Sequence, residues 1–407
     1  MPKVSARVLL LNKYFIPLHG QNGKIEMNKK KLVLYIDPQS TGNLAAYDFG
    51  VLSEVEGEVD YVCSRYYDYR EMGPNVRMLP LFSYNRIGNP LLKLLSYLWS
   101  MGRLLVLTAR LRPAVVHVQW LRVPHVDYMF YWMMKHLYGP AMVMTAHNVL
   151  PHNTGNRYRG IYGKVYRLFD RLIVHAEATR REIHDIFGIE EERISVIHHG
   201  TLRMDFDAEA LKKQEASLRR KYPTEGKTVF TSLGEQSAYK GIDLLVDIWR
   251  STPELNSNEA LQIIFAGKNR GIDFTSLAAC SNVTVADERI SNEEFHYLLR
   301  ETSVYLLPYR KISQSGALFT AIDEHVPLLV SDAGGLAEPL SVAPVGWKVK
   351  ACDKESLRQM LLHLAGNPQE IKAVKDDAEG WEKVCEAYRW NGISRQTYSL
   401  YKSLFKD

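Results

Sequence analysis

Residues 305–338 read YLLPYRKISQSGALFTAIDEHVPLLVSDAGGLAE, and the order of residue types is that of an anion site. An apolar run over 304–307 stops at Pro308, a polar loop with Gln314, Ser315 and Gly316 follows, and a helical run opens with Ala317-Leu318-Phe319. First-turn amides of a helix lack internal partners and stand at the positive end of its dipole, and a glycine lets an anionic oxygen approach them closely. A second apolar run, 327–331, ends in Asp332-Ala333-Gly334-Gly335, another small-residue turn, with Glu338 after it. Further polar groups fall where other apolar runs end: His147 and Asn148, with His152 beyond; Glu177 after His175; and His198-His199-Gly200. An imidazole at the carboxyl end of a parallel strand faces a ligand crevice rather than the core.

Such residues need strands to carry them. Short aliphatic runs recur at 32–37, 59–63, 76–81, 115–118, 141–145, 172–175 and 194–198, separated by helix-length segments, and a second series runs through 228–233, 261–266, 283–285, 304–307, 328–330 and 347–349. Strands alternating with helices predict parallel, doubly wound sheets. The pattern breaks at 207–227, a charged stretch with Pro223 and Gly226 that suits a linker or connecting helix. The expectation is an α/β chain of two Rossmann-like domains facing a cleft: 1–205, a linker over 206–227, 228–372, and carboxyl-terminal helices over 373–407. Residues 1–29 form an extension or an earlier strand and loop; 31–43 is preferred as the first strand and loop because Gly42-Asn43 leads directly into a helical run.

With 407 residues, 46% of them hydrophobic, the chain can bury two cores. Cys63, Cys280, Cys352 and Cys385 lie far apart with no metal-ligand spacing, which points to a reducing compartment and no metal site. The apolar run at 8–11 is too short for a signal peptide, and no stretch is expected to reach the uncharged length of a spanning helix. Residues 1–205 hold 26 Lys and Arg against 18 Asp and Glu, so the first half meets something anionic. The basic residues carry no nucleic-acid motif. Residues 90–112 and 126–137 are apolar nearly all round with interspersed basic groups, as in helices lying at an anionic membrane surface or flanking a sheet.

Five ordered segments, LGEQSAYKGIDLL (233–245), IIFAGK (263–268), ADERISNEEFHYLL (286–299), LLPYRKISQSG (306–316) and PLLVSDAGGLAE (327–338), resemble the nucleotide-sugar half of GT-B glycosyltransferases, family 4 above all. TAHNVLPHN (145–153) and RLIVHAEATRREI (171–183) resemble that family's acceptor half. The resemblance implies a GT-B fold, a nucleoside-diphosphate sugar as donor, no cofactor and no metal. It also implies retention, and a glycan or polyprenyl-diphosphate-linked acceptor in cell-surface polysaccharide synthesis at the cytoplasmic face of a membrane. It assigns catalytic roles to His147, Lys240 and Glu338. Donor contacts fall to Gly234, Lys240, Gly267, Ile290, Arg310, Gln314, Ser315, Gly316, Ala317 and Thr320. Gly42, Asn43, Asn148, His152 and Glu177 fall on the acceptor side. Two departures stand out. Positions 235–238 read Glu-Gln-Ser-Ala where the family carries an arginine, and Ile312 and Thr320 replace two glutamates, with Asp323 and Glu324 nearby as substitutes. A threonine makes one ribose hydrogen bond where a carboxylate makes two. A non-catalytic GT-B subunit and a nucleotide-sugar epimerase are the rival readings.

Overall fold

The computed structural model describes residues 31–67, 72–151, 157–201, 206–312 and 315–405. The expectations for His152, Gln314 and residues 1–29 lie outside them. Within the described residues each aliphatic run is a strand, its ends shifted by at most a residue or two from expectation. All strand pairs within each unit are parallel. Contacts divide the chain into one unit of residues 1–144 and 398–407 and another of residues 145–397.

The first unit is built on β1 (Val33–Ile36), β2 (Val59–Ser64), β3 (Val76–Phe82), β4 (Val115–Val118) and β5 (Ala141–Thr145), in the order β3-β2-β1-β4-β5. Val33 pairs with Val59 on one side and Val115 on the other. The residues of β1, β2 and β4 are buried along their whole length, because helices cover both faces of a parallel sheet. Polar groups inside are paired. The hydroxyls of Tyr35 and Tyr61 donate to the Asp48 carboxyl at 3.0 and 2.5 Å. Burial, with the charge of Asp37 adding to it, pushes that carboxyl well above the usual range. Tyr401, from the end of the chain, meets His117 Nδ1 at 2.5 Å, and Tyr398 fills the space beside Gly57 so closely that a Cβ there would stand 1.6 Å from its hydroxyl.

The helix Pro90–Leu111 starts at Asn89, whose side chain accepts from the Leu91 and Leu92 amides at 3.0 and 3.1 Å, and ends at Arg112 in the left-handed region. It corrects one expectation: by length and composition this helix could cross a bilayer. It packs on β3 and buries Tyr97, Ser100, Met101, Leu104, Thr108 and Leu111. The helix Pro124–Tyr138 packs beside it, joined by a 2.6 Å hydrogen bond from the Tyr97 hydroxyl to Asp127.

The second unit contains β6 (Arg171–Val174) beside β7 (Ile194–Val196), and a six-stranded sheet of β8 (Thr228–Leu233), β9 (Leu261–Ala266), β10 (Val283–Ala286), β11 (Val304–Leu307), β12 (Leu328–Ser331) and β13 (Gly346–Val349). Its order is β10-β9-β8-β11-β12-β13. Successive strand residues point to opposite faces, so Val229, Ile264, Tyr305 and Leu328 enter one core while Phe230, Ile263, Leu306 and Leu329 enter the other. The charged stretch after 206 is a helix, Ala208–Lys221. It docks Leu211, Leu218 and Tyr222 into the first of these cores, where the Tyr222 hydroxyl donates to Glu294 at 2.6 Å.

Candidate active site

Strand order in the six-stranded sheet reverses direction at β8 and β11. Ligands of open parallel sheets bind outside the carboxyl ends of the strands at such a point. The residues that follow those two strands and β9 are Gly234, Pro308-Tyr309-Arg310 and Gly267. Gly267 lies at φ 138, and a Cβ on it would stand 1.8 Å from the Gly234 carbonyl. The two loops therefore touch backbone to backbone, which only glycine permits. Gly241, at φ 75, abuts the Pro308 carbonyl in the same way, with 2.1 Å to a hypothetical Cβ. Beside them opens a cavity of about 230 Å³, lined by Gly234, Glu235, Gly267, Lys268, Arg289, Ile290, Ser291, Asn292 and Phe295. Three residues named from sequence, Gly234, Gly267 and Ile290, share this wall.

Lys240 is delivered by the turn Ala238–Lys240, which the Ser237 carbonyl closes at 3.1 Å. Its ammonium sits 5.7 Å from the centre of the Tyr309 ring and 3.7 Å from where a Cβ on Gly234 would be. Burial lowers its pKa and the charge of Glu235 partly offsets that. Among the described residues no carboxylate lies within ion-pairing distance of it. A desolvated cation gains most from an anionic ligand.

The helix Gly316–Asp323 points its first turn toward the same strand ends. Ser315 stands at the N-cap but does not cap with its side chain; its hydroxyl instead meets that of Tyr309 at 3.3 Å. The amides of Gly316 and Ala317, first in the helix, have no intrahelical acceptor.

Four other residues named from sequence are engaged elsewhere in the fold. The Arg310 guanidinium pairs with Asp243 at the start of the helix Ile242–Ser251, so its charge is already engaged. The Thr320 hydroxyl donates to the Gly316 carbonyl at 3.2 Å, so its proton is committed within the helix. Glu324 pairs with His296 at 3.1 Å, and Ile312 packs on the core.

A histidine cluster forms at the ends of the strands before and within this unit. The Nδ1 of His175 lies 2.9 Å from the Ile197 carbonyl, so it must carry the proton and donate. Burial and the neighbouring His147 push the His175 pKa well below its ordinary value, so the ring is neutral and its Nε2 is an acceptor. His147 Nδ1, 3.2 Å away, donates to it. His147 therefore carries a proton on Nδ1. Sequence reasoning missed His175 as the orienting residue, although its position at the end of β6 was visible. His199 packs flat on Phe319, with ring centres 5.1 Å apart, and burial holds its pKa down to about 4.

Glu338 accepts the Glu177 amide at 2.7 Å and so caps the helix Glu177–Phe187, whose own N-cap, Ala176, has no side chain to do this. Its other oxygen, buried, faces His198 Nδ1 at 3.8 Å. Glu177 pairs with Arg180 at 2.9 Å, and the Asn148 carbonyl accepts from the Tyr166 hydroxyl at 3.2 Å. Gly42, at φ 58, and Asn43 open the helix Asn43–Leu52 in the first unit, after β1. Among the described residues no group of three or more His, Cys, Asp or Glu is arranged to hold a metal ion.

Residues 52–201 match the model of Glycosyltransferase Family 4. A curated relative, an uncharacterized glycosyltransferase of Methanocaldococcus jannaschii, is 20% identical over 238 residues; the match spans 57% of this chain and 60% of that relative. Among solved structures, a glycosyltransferase from Rickettsia africae is 14% identical with a TM-score of 0.65, covering 93% of this chain and all of that one. Sucrose-phosphate synthase from Thermosynechococcus elongatus is 17% identical with a TM-score of 0.64, covering 92% of this chain and 98% of that one. HepE from Anabaena, solved with UDP-glucose, is 12% identical with a TM-score of 0.62, covering 91% and 99%. The match to family 4 thus covers residues 52–201, and over nearly its whole length the chain has the fold of these GT-B glycosyltransferases.

Proposed function

We propose that this chain transfers a hexosyl group from a nucleoside-diphosphate sugar, with UDP-glucose the first donor to test, to a glycan or lipid-linked acceptor in cell-surface polysaccharide synthesis. One observation carries the reading: around the strand-order reversal of the six-stranded sheet, a cavity, a half-buried lysine and the open amides of a helix lie together. The cavity lined by Gly234, Gly267 and Ile290 takes the base. Lys240 and the amides of Gly316 and Ala317 take the diphosphate. As the bond between the anomeric carbon and the phosphate oxygen breaks, the electron pair leaves with the diphosphate. Preorganised donors that meet the growing charge lower the barrier. The acceptor oxygen then bonds to the anomeric carbon, and its proton leaves with the departing nucleotide. His147 contacts the donor sugar through its side chain or its carbonyl, the role that the resemblance to family 4 implies. Glu338 holds the start of the helix Glu177–Phe187, and the resemblance to family 4 assigns Gly42, Asn43, Asn148 and His152 to the acceptor. Retention rests on the resemblance to family 4.

No step in this reading needs a metal ion, so turnover survives EDTA; loss of activity to chelator, restored by Mn²⁺ or Mg²⁺, refutes that part. Incubating the purified protein with a panel of sugar nucleotides and acceptor-containing membrane extract tests the whole. Release of nucleoside diphosphate with transfer of the sugar supports it. A second reading, a GT-B subunit that binds without turnover, is favoured by the pairing of Arg310 with Asp243 and by the inward bond of Thr320. Nucleotide binding without release selects it. The resemblance to family 4 supports a reaction at the cytoplasmic face of a membrane, where a polyprenyl-linked acceptor and a nucleotide sugar meet.

A further inference from the structure

We infer that Asp37 and Asp48, buried together beneath the loop 38–42 of the first unit, share one proton and form a latch: the loop opens by releasing that proton, so opening becomes easier as pH rises. The latch needs no turnover, so it stands or falls apart from the transfer reading. Asp37 follows β1 and Asp48 lies on the helix Asn43–Leu52, so the two carboxyls bracket the loop. Both are buried, and each is a hydrogen-bonding partner of the other. As two carboxylates they would leave a gap. Asp37 Oδ1 accepts the Gln39 amide at 2.8 Å, but its Oδ2 is buried with no donor. Ionised Asp48 cannot supply one, since both of its oxygens accept, from Tyr35 and Tyr61. A proton on Asp48 is the missing donor.

Two like charges this close and this dry do not both ionise. Burial raises both carboxyls; their shared bond then raises Asp48 and lowers Asp37, which makes Asp48 the acid. The groups around them supply no countercharge. β1 and β2 contribute Tyr35, Tyr61 and Cys63, the helix Asn43–Leu52 adds Tyr47, and the end of the chain adds Tyr401. Tyr84, Tyr131 and Asp127 face them from the turn after β3 and the helix Pro124–Tyr138, and His117 of β4 meets the Tyr35 ring edge-on. Tyrosine and cysteine are neutral below about pH 8, burial lowers His117 to about 3, and Asp127 can add only negative charge. Arg122 lies over Tyr84 and pairs with neither carboxyl.

What the proton holds is a tensioned loop. Ser40 lies at φ 35, which side chains seldom adopt, and its hydroxyl accepts the Ser64 amide at 2.6 Å, tying the loop to β2. The loop leads into Gly42 and Asn43, which the resemblance to family 4 assigns to the acceptor side. When it opens, water reaches Asp48, whose carboxyl returns to its ordinary value of about 3.9. Above about pH 4 the closed form therefore binds one proton more than the open form. The opening constant rises about tenfold for each pH unit, up to the closed-state value of Asp48.

Hydrogen–deuterium exchange of the full chain at pH 5, 6 and 7 tests this, with each rate divided by the intrinsic rate at that pH. In wild type the Gln39 and Ser64 amides lose protection by about tenfold per pH unit. In Asp48→Asn, with circular dichroism confirming the fold, the side-chain amide donates to Asp37 without titrating and the slope disappears. Asp127, raised to about 7 by burial, is the same in both proteins. Equal slopes in the two proteins, or no slope in wild type, overturn the inference. Where the variant does not fold, wild type decides alone: protection at Gln39 and Ser64 that changes with pH no more than that of the β8 amides in the second unit overturns it.

Discussion

At the scale of single residues the account rests on Lys240, a half-buried lysine among loops tied together by Gly234, Gly241 and Gly267. Removing it loses a charge-assisted contact worth about 1.5–3 kcal/mol. Lys240→Ala therefore lowers kcat/KM for the donor by one to two powers of ten with little change in melting temperature; a variant with normal kinetics removes Lys240 from the site. That the lysine and the glycines stand at strand ends and before helices was legible in the sequence, because these placements depend on neighbours in the chain: a glycine beside a cation, a glycine before a helix. What Arg310 and Thr320 do was not. Arg310 is claimed by Asp243, which comes from the helix Ile242–Ser251, and that approach depends on how β8 and β11 pack. The proton on His147 Nδ1 likewise depends on His175 and the Ile197 carbonyl, one strand and two strands away.

At the scale of elements, two helices and their caps carry testable consequences. Glu338 reads from sequence as a residue of the sugar site, and in the fold it caps the helix Glu177–Phe187. Glu338→Gln keeps an oxygen for the Glu177 amide and loses the interaction of a charge with the helix dipole. It lowers stability by about 0.3–1 kcal/mol and leaves kcat within a few-fold; a loss of two powers of ten in kcat at normal stability assigns Glu338 to the chemistry instead. His199 supplies the pH dependence. Burial holds it near 4, against an ordinary value of about 6.5. Between those values the unfolded chain binds a proton that the folded chain does not. The contribution of His199 is therefore complete above about pH 6.5 and falls by about 1.4 kcal/mol for each pH unit below it, until about pH 4. Asp127, raised to about 7 by burial, runs the opposite way, but it is common to both proteins and cancels from the difference. His199→Phe keeps the stack on Phe319 and gains on wild type by about 2 kcal/mol between pH 6.5 and pH 5 in urea denaturation. Parallel curves contradict a neutral, buried His199.

At the scale of the whole molecule, the alternation of short aliphatic runs with helices was enough to read two parallel sheets, because strands buried on both faces leave a near-continuous apolar signal. The same signal could not separate the outer leucines of the helix Pro90–Leu111 from its core leucines. Both are simply apolar in the sequence, and only packing on β3 shows which face is committed. Which strand ends share one site was also hidden, since that follows from strand order and not from spacing. The central claim is that the loops after β8, β9 and β11, with the start of the helix Gly316–Asp323, bind a nucleotide sugar. Hydrogen–deuterium exchange of the full chain with and without UDP tests this most directly. The account predicts slowed exchange of amides over 234–241, 267–270, 287–292 and 315–318, weakened at 234–241 and 315–318 in Lys240→Ala. Saturating UDP that protects none of these segments, or protects only amides outside the second unit, contradicts it.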